Sequence, residues 1–316
     1  MSWLSGYQYR QKLVLKRADG AQTDYQMKLT MHKGTGTSAG AVCYLGNKAE
    51  SWAASIPHDV RFTTAGGETQ LKYWIETSDT SSATIWIKFD SIGTTDTDFY
   101  IYYGKESETT TSSGEDTFIF FDDFESGDLD KWDTKTFAIS TTAYQGTYSA
   151  YGETTVTGEI KYLSKSITAC RKARYIVWAR FSVTNKDAFY IFHRPSYVLA
   201  AQSGYFRYYD GSWKNLPTST SFAANTWYRC EATLNQDTKK YKVYINGSYK
   251  GEITTVLTGS DQTGTRHASS YAASQTNGWI DNSIVAKFDD PEPTYESWGS
   301  EETPVTTKRG AFFMVM

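Results

Sequence analysis

The stretch Lys239–Ile253, KKYKVYINGSYKGEI, decides the fold class. Apolar and polar residues alternate on both sides of Asn246-Gly247. Asn-Gly between two alternating runs fits a type I′ turn, which requires positive φ at both central residues and joins two antiparallel strands. Working outward, the same pattern recurs. Residues 7–16 alternate up to a turn at Asp19-Gly20, and in 24–32 the side chains of Tyr25, Met27, Leu29 and Met31 share one face. Period-2 alternation bounded by turn residues is the strand signal. It returns at 58–62, 71–75, 83–89 and 98–103, then at 118–124, 157–168, 173–183, 187–194, 204–210, 226–234 and 279–288. No segment sustains a 3.6-residue apolar period. The expected fold class is all-β, with two tandem antiparallel β-sandwich (jelly-roll) domains.

A chain of 316 residues suggests two domains, each long enough to bury a core. Residues 105–117, KESETTTSSGEDT, have no aliphatic anchor and read as a linker. The expected layout is a domain at 1–104, the linker, a second domain at 118–290 and an extended C-terminal tail at 291–316. Asp290-Pro-Glu-Pro293 marks the break before the tail.

Composition narrows the function. Aromatic residues make up 16% of the chain, and 32 Lys and Arg against 35 Asp and Glu leave a net charge of −3. A nucleic-acid binder would carry a basic face or stripe, so no nucleic acid is expected as partner. No run approaches the ~18 apolar residues of a membrane-spanning helix. The four His (32, 58, 193, 267) and three Cys (43, 170, 230) show no zinc-site spacing. Cys170 and Cys230 either bridge two strands or are small buried residues. Residues 1–10 lack the basic and apolar regions of a Sec signal. At the other end, six apolar residues follow a short basic step and Gly310. They either dock on their own domain or insert into a neighbouring subunit, with Phe312, Phe313 and Met314 as the assembly contact.

Two resemblances emerge. The first hundred residues carry Trp3, Tyr9-Arg10, Asp59-Val60-Arg61-Phe62, Tyr73-Trp74-Ile75-Glu76, Trp86-Ile87-Lys88 and Tyr102-Tyr103-Gly104. This order resembles a small β-sandwich domain of unknown function found in prokaryotic and viral surface proteins. Residues 118–288 carry Phe121-Asp122-Asp123-Phe124, Leu129-Asp130, Trp132, Trp227-Tyr228, Tyr244, Asn246-Gly247 and Gly278-Trp279-Ile280-Asp281. They resemble a concanavalin A-like lectin/glucanase sandwich of the laminin-G type. The pairing implies an exported adhesin or a virion protein that presents carbohydrate-binding-like domains.

Candidate chemistry follows from residue types. Glucanases on such sandwiches use a nucleophile and an acid a few residues apart on one strand. Here Glu153, Glu159 and Glu231 are isolated, there is no Gly-x-Ser-x-Gly elbow, and His193 reads as a packed or surface residue. No enzyme activity is expected. The resemblance implies calcium as the one candidate cofactor. Asp122 and Asp123 on the first strand and Asp281 on the last would meet if those strands pair, and Ca²⁺ needs several hard oxygens. The same residues could instead serve turns. Tyr205, Tyr208, Tyr209 and Trp213 surround an Asp-Gly turn and read either as a sugar-stacking platform or as core. Arg61 reads as structural, paired across strands with Asp59 or Glu76.

The expected function is a non-enzymatic virion surface protein: a capsid decoration, turret or tail component. It would partner other virion proteins or copies of itself, and host or environmental glycans. A secreted or cell-surface glycan-binding adhesin is the alternative, and a polysaccharide-active enzyme ranks third.

Overall fold

The structure, a computed structural model, describes residues 2–17, 20–49, 52–53, 56–182, 189–193, 198–254, 256–270 and 276–304. In chain order the strands are β1 (Tyr9–Lys16), β2 (Gln22–His32), β3 (Val42–Tyr44), β4 (Trp52–Ala53), β5 (Ile56–Pro57), β6 (Arg61–Thr64), β7 (Lys72–Ser78), β8 (Ser82–Ile92) and β9 (Thr97–Tyr103). A one-turn helix α1 (Gly114–Thr117) precedes β10 (Phe120–Asp122), β11 (Thr134–Lys135), β12 (Ala138–Ser140), β13 (Ser149–Thr154), β14 (Ile160–Cys170) and β15 (Lys172–Phe181). Then come β16 (Phe189–Phe192), β17 (Leu199–Gln202), β18 (Tyr205–Tyr209), β19 (Trp213–Asn215), β20 (Trp227–Asn235), β21 (Lys240–Ile245), β22 (Ser248–Ile253), β23 (Gln262–Ser270), β24 (Thr276–Lys287) and β25 (Thr294–Glu302). The protein is all-β and its sheets are built almost wholly of antiparallel pairs. Among the described residues the one parallel pair is β2 with β3. Among the described residues no helix is long and apolar enough to cross a membrane.

The chain divides into two compact units. One joins Met1–Thr117 to the segment from Pro291, and the other is Phe118–Asp290. The first unit has two four-stranded sheets, ordered β25-β1-β9-β6 and β3-β2-β8-β7, plus the small β4-β5 pair. Tyr25, Met27, Leu29 and Met31 do share one face. They lie in a single core with Leu13, Ile85, Phe89 and Ile101. Burying each such side chain contributes roughly 1.5–3 kcal/mol, which fixes the register because a one-residue slip would expose the whole set.

The last segment departs from the expected tail. Thr294–Glu302 forms strand β25, antiparallel to β1. Arg10, 6% exposed, explains its hold. Its guanidinium lies 4.4 Å from the Trp3 ring and 4.2 Å from the Tyr100 ring, and its Nε donates to Glu302 at 2.8 Å. A cation among rings in a nearly dry site needs a carboxylate partner, and β25 supplies it. The expected linker is also fastened. Arg61 Nη2 donates to Glu108 Oε2 at 2.9 Å and to the Thr109 carbonyl at 2.7 Å, and the Ser113 N–H donates to the Tyr73 carbonyl at 2.8 Å. Arg61 is structural, but through Glu108. Asp59 instead accepts the Gly104 N–H at 2.8 Å, and Glu76 accepts the Trp86 indole N–H at 2.7 Å. β6 is the edge of its sheet, so Arg61 meets the returning segment on that side.

The second unit is a sandwich of two larger sheets. One runs β12-β13-β24-β15-β20-β21-β22, with β10 also on β24, and the other runs β11-β14-β23-β16-β17-β18-β19. Their facing sides share one core that includes Trp132, Tyr175, Val177, Phe181, Phe206, Val243 and Ile280. The hairpin at 241–253 has the expected turn, with φ of 50° at Asn246 and 75° at Gly247. All three cysteines are free, and Cys43 and Cys230 are buried.

Candidate functional site

The site grows from strand alternation in the seven-stranded sheet. On β18, Phe206 is fully buried and Tyr208 packs against the core, so Tyr205, Arg207 and Tyr209 face outward. Tyr209 stands opposite Trp213 on β19, and their rings meet edge to face at 5.4 Å. Trp213 lies nearly parallel to Tyr190 of β16 at 5.9 Å. Tyr190 continues to His193 at 4.8 Å, and His193 lies parallel to Tyr162 of β14 at 5.9 Å and 10°.

Five rings from four parts of the chain therefore form one row on the outer face. A register shift between Tyr190 and Phe192 in the β16–β17 pairing makes this possible. It lets Ile191 and Phe192 both join the core while His193 rejoins Tyr190 outside. Tyr190 is flanked in register by Ala200 and Ala268, whose small side chains leave room for the ring.

Polar groups border the row. Arg207 Nη1 donates to Gln202 Oε1 at 3.0 Å and Nη2 to the Trp213 carbonyl at 2.9 Å, which fixes the tryptophan's strand. The Arg266 guanidinium lies 4.9 Å from the Tyr162 ring. The ring-row residues are half-buried. Such a surface offers π-faces to sugar C–H groups and charged donors to hydroxyl or acid groups.

Of the residues read as a platform, Tyr209 and Trp213 belong to the row. Tyr205 is 42% exposed and outward but makes no ring contact with it. Tyr208 is turned inward, because alternation separates adjacent strand residues to opposite faces. Tyr162, Tyr190, His193 and Arg266 were not anticipated. For Tyr162 and Tyr190 the sequence signal is outward parity beside apolar inward residues, whereas Arg266 lies on β23, whose buried Thr265, His267 and Ser269 are polar.

The acidic candidates have other partners. Asp122 is 1% exposed; its Oδ2 accepts the Trp132 indole N–H at 2.6 Å and its Oδ1 the Phe124 N–H at 3.0 Å. Burial raises its pKa despite these donors. Asp123 Oδ1 accepts the Glu125 N–H at 3.3 Å. Asp281, fully buried, accepts the Tyr144 and Gln145 N–H groups on Oδ2 at 2.8 and 3.1 Å and the Asn282 N–H on Oδ1 at 2.8 Å. Burial still pushes it up to about 7. These carboxylates serve turns and loops, and among the described residues no three His, Cys, Asp or Glu side chains cluster to hold a metal ion. Phe312, Phe313 and Met314 lie outside the described residues.

The outer face of the eight-stranded sheet carries a second group. Asp281 fixes the backbone under Tyr144, whose ring stacks on Trp178 at 5.0 Å. Beside it, Glu231 is held between Arg229 Nη1 at 2.6 Å and Arg174 Nε at 3.1 Å. Both of its carboxylate oxygens are thus engaged by guanidinium groups.

Residues 57–135 match the model of a family described as a domain of unknown function, DUF2341. The match begins in β5 and ends in β11, so it includes the Asp59–Phe62 and Tyr102–Gly104 motifs and crosses from the first unit into the second. No curated protein matches the chain. Similar solved structures include a sialidase, at 12% identity and a TM-score of 0.44 over 75% of this chain. A botulinum neurotoxin DC binding domain shows 12% identity and a TM-score of 0.37 over 50% of this chain. The carbohydrate-binding module CBM66 from Bacillus subtilis shows 10% identity and a TM-score of 0.31 over 50% of this chain and 96% of its own. The chain spans 22% of the sialidase and 43% of the neurotoxin domain.

Proposed function

We propose that the second unit is a non-catalytic glycan-binding module that uses the outer face of its seven-stranded sheet. The observation that carries this reading is the row Tyr162, His193, Tyr190, Trp213 and Tyr209. The rings are anchored on strands rather than on loops, so little side-chain entropy is lost when a sugar stacks on them.

The test is a glycan array followed by calorimetry with Trp213→Ala and Tyr190→Ala. Each variant loses roughly tenfold or more in affinity, about 1.4 kcal/mol, while its melting temperature stays near that of the parent. Binding unchanged in both variants, or no glycan bound by the parent, defeats the proposal.

A further inference from the structure

The seven-stranded sheet has an unusual charge distribution. Its strands contain no Asp and no Glu. They contain Lys135, Lys161, Lys165, Arg207, Lys214 and Arg266. The chain as a whole carries a net charge of −3, so this is not a reflection of composition. The other large sheet mixes both signs, with Asp122, Glu153, Glu231, Glu252 and Asp281 beside eight Lys and Arg in its strands.

The six cations differ in where they stand. Lys135, Lys161, Lys165 and Lys214 pair with Asp130, Glu159, Asp133 and Asp210, all in the connections between strands. The two arginines stand on the ring row. Arg207 is bound to neutral groups, the Gln202 side chain and the Trp213 carbonyl, and Arg266 lies over the Tyr162 ring. A guanidinium matches the planar, two-oxygen geometry of carboxylate or sulfate better than it matches a hydroxyl.

Resting on the glycan-binding reading above, we propose that the ligand is an acidic polysaccharide. Its rings stack along the Tyr162–Tyr209 row and its anionic groups meet Arg207 and Arg266. The row crosses several strands, so the occupant is a stretch of chain rather than one terminal sugar.

The experiment is calorimetry on the full chain with three length-matched oligosaccharides: oligogalacturonate, a sulfated galactan fragment and neutral cello-oligosaccharide. At least one acidic ligand binds about tenfold tighter than the neutral one. Its affinity falls as salt rises from about 0.05 to about 0.5 M, which screens exposed charges. Carboxylate or sulfate preference identifies the source of the anion. Arg207→Gln and Arg266→Gln each remove most of the acidic preference, and the Lys variants at the same positions, which keep the charge, retain part of it. Melting curves confirm that each variant is folded, and the Lys variants stand as the test if a Gln variant is not. Equal, salt-insensitive binding of neutral and acidic ligands overturns this inference and leaves the glycan-binding reading intact. Acidic preference unchanged in both Gln variants overturns it as well. Failure of all three ligands and of a glycan array overturns both.

Discussion

His267 and Asp281 are buried titratable groups of the second unit that pull its stability in opposite directions with pH. His267 is fully buried, with Nδ1 against the Ile191 carbonyl at 2.6 Å and Nε2 against Ser283 Oγ at 3.0 Å. Burial lowers its pKa from 6.5 to about 4. The unfolded chain therefore binds the proton more readily. The stability His267 contributes is fully present above 6.5 and lost as pH falls through about 4. Asp281 has the opposite sign. Its pKa rises from 3.8 to about 7, so its contribution is fully present below 3.8 and lost as pH rises through about 7. From about pH 4 to 6.5 the two slopes oppose one another. The expected melting temperature of the parent is flatter over this window than that of either variant. Asp281→Asn leaves the histidine slope, so its melting temperature climbs with pH. His267→Gln leaves the aspartate slope, so its melting temperature declines. An Asp281→Asn profile parallel to the parent's would show that this carboxyl is ionised throughout.

At the scale of the element, edge strands and the ring row separate what sequence shows from what it hides. The hairpin at 241–253 and the core face of β2 were legible because both signals are local: a turn dipeptide and a period-2 apolar run. Strand β25 was not. Its sequence TYESWGSEE is mostly exposed or half-buried, and its pairing partner lies 292 positions away at the Arg10–Glu302 contact. An edge strand needs no strong apolar pattern when a partner supplies the hydrogen bonds and a buried cation needs its carboxylate. Glu302→Ala should therefore destabilise the first unit by about 1–2 kcal/mol, read from urea unfolding, because Arg10 keeps only the Tyr102 hydroxyl and the Ser2 carbonyl. No change would mean that the rings alone hold Arg10. The site divides in the same way. Tyr209 and Trp213 belong to one hairpin and were visible together. Tyr162, Tyr190 and His193 join them only through the order β14-β23-β16-β17-β18-β19, which no local pattern encodes.

For the whole molecule, the second unit is an insertion into the first, entered after Thr117 and left before Pro291. Both crossings are anchored at neighbouring residues of β2. The Thr117 carbonyl accepts from Gln26 Nε2 at 2.9 Å, and Glu292 Oε1 accepts from the Tyr25 hydroxyl at 2.9 Å. The inserted unit closes its own ends too, since the Ile119 N–H donates to the Val285 carbonyl at 2.9 Å and β10 lies on β24. Each unit has its own core. Residues 118–290 alone should unfold cooperatively and keep the parent's glycan affinity. A chain joining residues 1–117 to 291–316 by a short Gly-Ser bridge should also fold, with β25 still on β1. Shortening that chain to end its first part at residue 104 should lower its melting temperature, because Arg61 then loses Glu108 and Thr109, and Tyr73 loses the Ser113 N–H. Removing one buried partner of a charged hydrogen bond costs about 1.5–3 kcal/mol. A shift of roughly 2–4 °C per kcal/mol is expected for a domain of this size. Equal melting temperatures for the two versions would show that residues 105–117 are a tether and not part of the first unit's fold.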